Sequence, residues 1–203
     1  MKRVNPLSFR LRTGTVYNSY WFTNSSYSIN LHLDKEIRGL IKKRIKDDII
    51  CIKIFRKIDL IKIIIYIASF SMIKKSKDVE ELPNDLRRRR LLINQSFFTS
   101  IKRVKNPYKS SNILTKYIAL HLKRRIPTYK IIKKAIELSK KSRIKGIKLR
   151  ISGCIDGKIS KVLWIREGVY PIQTIQAKFD YYSYAIKTIY GILGIKIWIF
   201  LKC

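Results

Sequence analysis

The chain has 203 residues, of which 46% are apolar and 29% are charged. This length suits one large or two small domains, and so high an apolar content excludes a disordered chain. The 45 lysines and arginines outnumber the 13 acidic residues by 32. Such an excess favours a polyanionic partner, with nucleic acid ahead of an acidic membrane surface, and a coat that serves solubility alone would mix both signs.

Residues 1–30 show no regular periodicity and are predicted to form an irregular N-terminal arm. The start, MKRVNPLSFRL, lacks the apolar core of a secretory signal peptide. The arm has two open interpretations, contact with RNA or packing on the protein's own core. The side chains concerned are Arg10, Arg12, Tyr17, Tyr20 and Trp21.

Residues 31–105 are predicted to form a first domain. Asp34 is the predicted N-cap of a helix that runs to about residue 47, with its isoleucines on one face. Strands are predicted at 49–55, 60–68 and about 93–104, with a helix that begins near Asp78.

The order helix, strand, strand, loop, helix, strand predicts a KH-type (type II-like) domain, which binds single-stranded nucleic acid through a GxxG loop. Here that loop reads Ile73-Lys74-Lys75-Ser76, and the side chains at both ends hinder close approach of the backbone. Contact through the charges of Lys74 and Lys75 is predicted instead. Four consecutive guanidiniums are a second predicted phosphate site, because each can form charge-assisted hydrogen bonds. They belong to Arg87, Arg88, Arg89 and Arg90.

Residues 106–203 are predicted to form a second, two-layer α+β domain after a linker at Asn106-Pro107. Ser111 is the predicted cap of a helix to about Lys123, and Pro127 suits the first turn of another to about 142. Isoleucines occupy one face of this second helix. Lysines, including Lys130, Lys133 and Lys134, occupy much of the remainder.

Four strands are predicted after these helices, at 146–155, about 158–166, about 173–182 and 194–201. The first two are predicted to form a hairpin across the two-residue turn Asp156-Gly157. Alternation places the apolar residues on one face and the basic residues on the other, where contact with RNA phosphates is expected. Those basic residues are Lys148, Arg150, Lys158 and Arg166. Trp164 and Trp198 are predicted to pack within the hairpin or the core.

No catalytic, metal or cofactor site is predicted. There is no GxxxxGK[ST] loop and no GxSxG, and acidic residues are too few for a two-metal nuclease. Asp156 is expected to serve its turn, and Glu167 to pair with Arg166 or solvent. The cysteines form no CxxC pair, neither histidine has ligand spacing, and the apolar run 63–73 is shorter than the ~20 residues of a membrane span. These cysteines and histidines are Cys51, Cys154, Cys203, His32 and His121.

Several segments resemble the small-subunit ribosomal protein three family, nearest its plastid-encoded branch. They include NPLSFRL (5–11), YNSYWF (17–22) and the stretch SGCIDGKISKVLWIREGVYP (152–171) with its continuation to 200. The resemblance implies a structural constituent of the small ribosomal subunit, bound to 16S-type rRNA in the head beside the channel where mRNA enters. It also implies that proteins ten, fourteen and two are neighbours in the head, with four and five at the channel.

The family carries a basic trio that contacts mRNA, and the matching positions here are Tyr129, Lys130 and Lys133, with Lys134 beside them. Abundant isoleucine and lysine indicate an A/T-rich genome, and no transit peptide is evident, so an organelle-encoded plastid protein is expected. A mitochondrion or a reduced bacterium is the alternative. The alternative functions are a free KH-type RNA-binding regulator and, third, an enzyme with lyase chemistry at abasic DNA.

Overall fold

A computed structural model of the chain describes residues 5–11, 17–23, 25–45, 49–57, 60–68, 96–155, 157 and 159–202. The described residues divide into two compact units. One lies within Val16–Pro107, and the other lies within Met1–Thr15 and Tyr108–Cys203. The described residues form three α-helices and two sheets, so the predicted α+β class is confirmed.

The described residues of the first unit form a four-stranded sheet with one helix packed on it. The sheet has the order β1-β2-β3-β4, in which β2 and β3 are antiparallel and the two outer pairs are parallel. Ile37 and Ile41 of the helix bury themselves against isoleucines of β2 and β3, because alternation brings those isoleucines to one face. The elements are β1 (Ser19–Tyr20), α1 (Tyr27–Arg44), β2 (Ile49–Arg56), β3 (Leu60–Ile67) and β4 (Ser96–Arg103).

The prediction that Asp34 caps α1 is wrong. The helix begins at Tyr27, and Asp34 is a buried residue within it. Its carboxylate accepts hydrogen bonds of 2.9 Å from Arg56 Nη2 and 2.9 Å from Trp21 Nε1. The side chains of Arg56 and Asp34 are 6% and 5% exposed, so this is a buried ion pair that fastens the helix to β2 and to the arm.

The second unit is a four-stranded antiparallel sheet with two helices on one face. The sheet order is β6-β5-β8-β7. Leu114 and Ile118 of the first helix and Ile131 and Ile132 of the second pack against the inward isoleucines and leucines of the strands. The elements are α2 (Ser111–Lys123), α3 (Thr128–Lys141), β5 (Gly146–Gly153), β6 (Lys161–Gly168), β7 (Lys178–Thr188) and β8 (Gly191–Lys202).

The connection between β5 and β6 is longer than the predicted two-residue turn. β5 ends at Gly153 and β6 begins at Lys161, although the two strands do pair antiparallel as predicted. Gly157 has a φ of 75°, which glycine adopts readily, so it serves a wider loop. β7 also begins later than predicted, at Lys178, because the residues before it turn. The backbone N–H of Ala177 donates a hydrogen bond to the Thr174 carbonyl, which closes a turn within this segment.

Of the arm residues for which both interpretations were open, Arg10 and Trp21 bind within the protein, whereas Tyr17 is 63% exposed. Phe9, Leu11 and Phe22 of the arm are also exposed. Trp21 binds Asp34, and Tyr20 stacks on Phe55, on the side of the sheet away from α1, with ring centroids 4.7 Å apart. Arg10 is 6% exposed and donates hydrogen bonds to backbone carbonyls of four residues. These are Pro6, Ile172, Thr174 and Ala177.

Several predicted features fall outside the described residues. They are the helix near Asp78, the loop with Lys74 and Lys75, the arginines Arg87–Arg90, Arg12, Asp156 of the predicted turn, Lys158 and Cys203. Within the described ranges, no helix is both long enough and apolar enough to cross a membrane.

Candidate nucleic-acid interface

The side of the second sheet turned away from α2 and α3 is basic and aromatic. In β5 the side chains of Ile147, Leu149 and Ile151 are buried toward the helices, so Lys148 and Arg150 lie on the opposite side. We call this side the basic face. Its members on β5, β6 and β8 are Lys148, Arg150, Trp164, Arg166, Lys196 and Trp198.

Strand register alternates cations and indole rings across the basic face. Lys148 lies opposite Arg166 on one side and Trp198 on the other, while Arg150 lies between Trp164 and Lys196. The cations contact the indole rings. Lys148 Nζ is 4.7 Å from the ring centroid of Trp164, and Arg150 Cζ is also 4.7 Å from it. These cation–π contacts keep neighbouring positive charges close together on one surface without a carboxylate between them.

Trp164 differs from the predicted packing role. Trp198 is 4% exposed and packs in the core as predicted, whereas Trp164 is 44% exposed. The two indoles are nearly parallel, at 11°, with centroids 6.4 Å apart. Trp164 borders a depression of about 330 Å³ that Lys148, Ile165 and Arg166 also line. An open aromatic ring with two cations beside it is the arrangement that stacks an unpaired base and binds its phosphates.

An aromatic cluster closes one end of the basic face. Tyr170, Phe179 and Phe200 pack together with Trp198, and Arg166 Cζ lies 5.7 Å from the ring centroid of Tyr170. The buried Arg10 guanidinium lies 4.8 Å from the centroid of Phe179. Arg10 therefore holds the arm and the segment before β7 against the sheet, and it is not available to RNA.

Glu167 pairs with Lys140 of α3, not with Arg166 or solvent as predicted. The physical reason is strand alternation, since successive side chains point to opposite faces and Glu167 therefore lies on the helix side. No carboxylate lies on the basic face among the described residues, because Asp180 of β7 is also on the helix side, where it binds Ser111 of α2.

The lysines of α3 form a separate surface on the helix layer. Lys130, Lys133 and Lys134 are exposed and stand three and four residues apart, so they share one side of the helix. The opposite side carries the buried Ile131 and Ile132. The predicted residues thus fall on two surfaces of one unit, with Lys148, Arg150 and Arg166 on the basic face and the α3 lysines on the helix layer.

The sequence reading missed Lys196 and the basic connection between α2 and α3. Lys196 follows the same alternation as Trp198 within IKIWIFL, so the pattern contained its place on the basic face. Lys123 at the end of α2 and Arg124 and Arg125 of the connection are three consecutive exposed cations. The position of the connection beside the first turn of α3 extends the positive surface of that helix.

Comparison with known proteins gives a consistent result. Residues 118–199 match the family described as Ribosomal protein S3, C-terminal domain. Relatives named Small ribosomal subunit protein uS3c are 44% identical in Morus indica, 45% in Lepidium virginicum and 43% in Glycine max. The alignments cover 98%, 98% and 99% of this chain and 98%, 97% and 99% of the relatives, respectively.

The chain belongs to the uS3 family of ribosomal proteins. The resemblance predicted from the sequence is therefore confirmed, as is the plastid location, since the relatives are the chloroplast-encoded form. Membership also confirms that the protein is not an enzyme, because the family has a structural role. Within the part of the chain that the structure describes, no group of three His, Cys, Asp or Glu residues is placed to hold a metal ion.

Proposed function

We propose that this uS3 family member is a structural constituent of the small ribosomal subunit that binds 16S-type rRNA through the basic face. The observation that carries the proposal is the contact of Lys148 and Arg150 with the half-exposed ring of Trp164. The phosphates of RNA supply the negative charge that the basic face lacks, and unpaired bases supply a stacking partner for the ring of Trp164. The relatives' name, which assigns them to the small subunit, supports the assembly.

The finer position in the subunit belongs to the same proposal. We place the protein in the head beside the channel where mRNA enters, with proteins ten, fourteen and two as neighbours and four and five at the channel. The exposed side of α3, with Lys130, Lys133 and Lys134, is the proposed mRNA contact. Tyr129 is 74% exposed there and offers a ring beside the lysines.

The first unit is proposed to be a KH-type domain, with the domains at 31–105 and 106–203 after an arm at 1–30. Support comes from the order of α1, β2 and β3 and from the pairing of β3 with β4. Its loop lysines Lys74 and Lys75, the arginines Arg87–Arg90 and Lys158 are proposed as further rRNA contacts on sequence grounds alone.

Sedimentation of plastid extract through a sucrose gradient tests the assembly. Co-migration of this protein with small subunits is expected. A peak only at the top of the gradient would instead support the free KH-type regulator.

A matched pair of variants tests the basic face. Glutamine at Lys148, Arg150 and Arg166 removes three charges and keeps polar side chains of similar reach, so the affinity for 16S-type rRNA should fall. The slope of log affinity against log salt should shrink by roughly 2–3, at about 0.7–0.9 per phosphate. The control carries the same change at the exposed Lys35, Lys42 and Lys105. Equal losses in both variants would show that the face has no special role.

A further inference from the structure

The side of the first sheet turned away from α1 carries a row of side chains that crosses all four strands. Tyr20 of β1 lies beside Phe55 of β2, Phe55 lies opposite Lys62 of β3, and Lys62 lies beside Phe98 of β4. The isoleucines that pack on α1 point the other way, as alternation requires. We call this side the open face.

Two further rows follow on the open face. Lys53, Ile64 and Ser100 lie side by side, and Cys51, Tyr66 and Lys102 form the next row. Each row therefore contributes one lysine, and the lysines alternate with rings across the sheet. None of the described residues in these rows carries a carboxylate, so the lysines have no acidic partner within the face.

One ring of the open face, that of Phe98, is exposed, while the rings of Tyr20, Phe55 and Tyr66 are half-buried. Phe98 is 53% exposed, although it is a large apolar side chain in the middle of a strand. Tyr20 and Phe55 are stacked at 5° with centroids 4.7 Å apart, so each ring covers one face of the other. Lys62 Nζ lies 5.7 Å from the Phe98 centroid, and Lys53 Nζ lies 5.7 Å from the Tyr66 centroid. An exposed aromatic patch of this kind is typical of a binding surface.

We propose that the open face binds a single-stranded segment of RNA. A base stacks on the exposed ring of Phe98, while Lys53, Lys62 and Lys102 neutralise the phosphates. Sheets with exposed aromatic residues stack two or three bases in this manner. RNA fits better than a protein partner, because its bases match the exposed ring and its phosphates match three lysines that have no carboxylate in the described rows of the face. The inference rests on the proposed function and adds a second RNA surface, on the other unit from the basic face.

Affinity for a single strand tests the stacking role of Phe98. Fluorescence anisotropy of the full-length protein would be measured with a labelled single-stranded RNA of about 12 nucleotides and with a duplex of the same length. Phe98→Leu keeps apolar volume and removes the ring, so binding to the single strand should weaken at least about fivefold, while duplex binding stays unchanged. Phe9→Leu is the matched control, because Phe9 is another exposed phenylalanine, 66% exposed, outside both faces.

The lysines give an independent measurement. Glutamine at Lys53, Lys62 and Lys102 should reduce the salt slope for the single strand by roughly 2, at about 0.7 per phosphate. Melting temperatures of all variants would verify that they fold. A photo-crosslinking phenylalanine analogue at position 98 should attach to RNA in assembled small subunits.

Three outcomes would overturn the inference. They are unchanged single-strand affinity of Phe98→Leu, an equal loss on the duplex, and crosslinks from position 98 that reach protein only. If these occur while the glutamine variant of the basic face still weakens rRNA binding, the proposed function stands and the open face is not an RNA site. If the unaltered protein neither binds rRNA nor sediments with small subunits, the proposed function itself fails.

Discussion

The carboxylate of Asp180 in β7 accepts a hydrogen bond of 2.7 Å from the backbone N–H of Ser111, the first residue of α2. The residue at the N-cap position, Ser110, makes no side-chain cap hydrogen bond. The predicted local cap at Ser111 is therefore replaced by a carboxylate from 69 residues further along the chain. This contact satisfies a free helix N–H and fastens α2 to the sheet.

The Asp180 cap makes stability depend on pH. Burial raises the pKa of Asp180 above its ordinary value of 3.8, and the hydrogen bonds from Ser111 oppose the shift only in part. Because the folded pKa is the higher one, the native state takes up the proton first as pH falls. The contribution of Asp180 to the free energy of unfolding therefore decreases as pH rises from 3.8 through the folded pKa.

Urea unfolding of Asp180→Asn across this pH range measures the effect. Asn keeps an acceptor for Ser111 and has no charge to bury, so it should gain stability relative to the unaltered protein as pH rises. Asp180→Ala loses the acceptor and should cost about 1 kcal/mol at pH values where the carboxylate is charged. A constant difference between Asp180→Asn and the unaltered protein over the whole range would contradict the linkage.

The buried pair Asp34–Arg56 predicts a large cost for the loss of one partner. Asp34→Ala leaves the Arg56 guanidinium buried without its carboxylate, and the free energy of unfolding should fall by about 3–5 kcal/mol. Glu36→Ala is the control on the same helix. Its contact with His32 is exposed, with side chains 38% and 69% accessible, so its loss should cost less than about 1 kcal/mol. If thermal or urea unfolding showed similar losses of stability for Asp34→Ala and Glu36→Ala, the buried pair would contribute no more than the exposed contact.

Asp180 and Asp34 also show how much of the fold can be predicted from the sequence. Local periodicity located α2, α3 and the strands of the first sheet, because one apolar face repeats in each. The same alternation could have placed Glu167 on the helix side and Lys196 on the basic face. Contacts distant along the chain have no such pattern. Asp34 is predicted to be a cap because nothing near it in the sequence indicates its partner Arg56. The sequence leaves Arg10 open between RNA contact and core packing, because three of its four acceptors lie more than 160 residues away.

Two glycines predict opposite effects of the same substitution. A Cβ on Gly146 would lie 1.8 Å from the Val169 carbonyl oxygen, because the first residue of β5 lies close to the backbone that follows β6. Gly146→Ala should therefore destabilise the protein by about 3 kcal/mol or more. Gly39 lies within α1 with no atom within 4 Å of an added Cβ, so Gly39→Ala should stabilise by roughly 0.5–1 kcal/mol. Melting temperatures of the two variants should move in opposite directions, and a shared direction would refute the close approach at Gly146.

The exposed lysines of α3 predict an effect on translation that depends on the message. Lys130→Ala with Lys133→Ala removes two charges from the proposed mRNA contact and leaves the buried isoleucines of the helix intact. Translation of messages with stable hairpins should fall more than translation of unstructured messages, because fewer cations then hold the strand as it unwinds. The control is Lys105→Ala with Lys109→Ala, which removes two exposed charges outside α3. Ribosomes carrying each pair would be compared in a plastid translation extract. If translation of both kinds of message fell equally, these lysines would contribute only general affinity for RNA, and the proposed role in unwinding would be wrong.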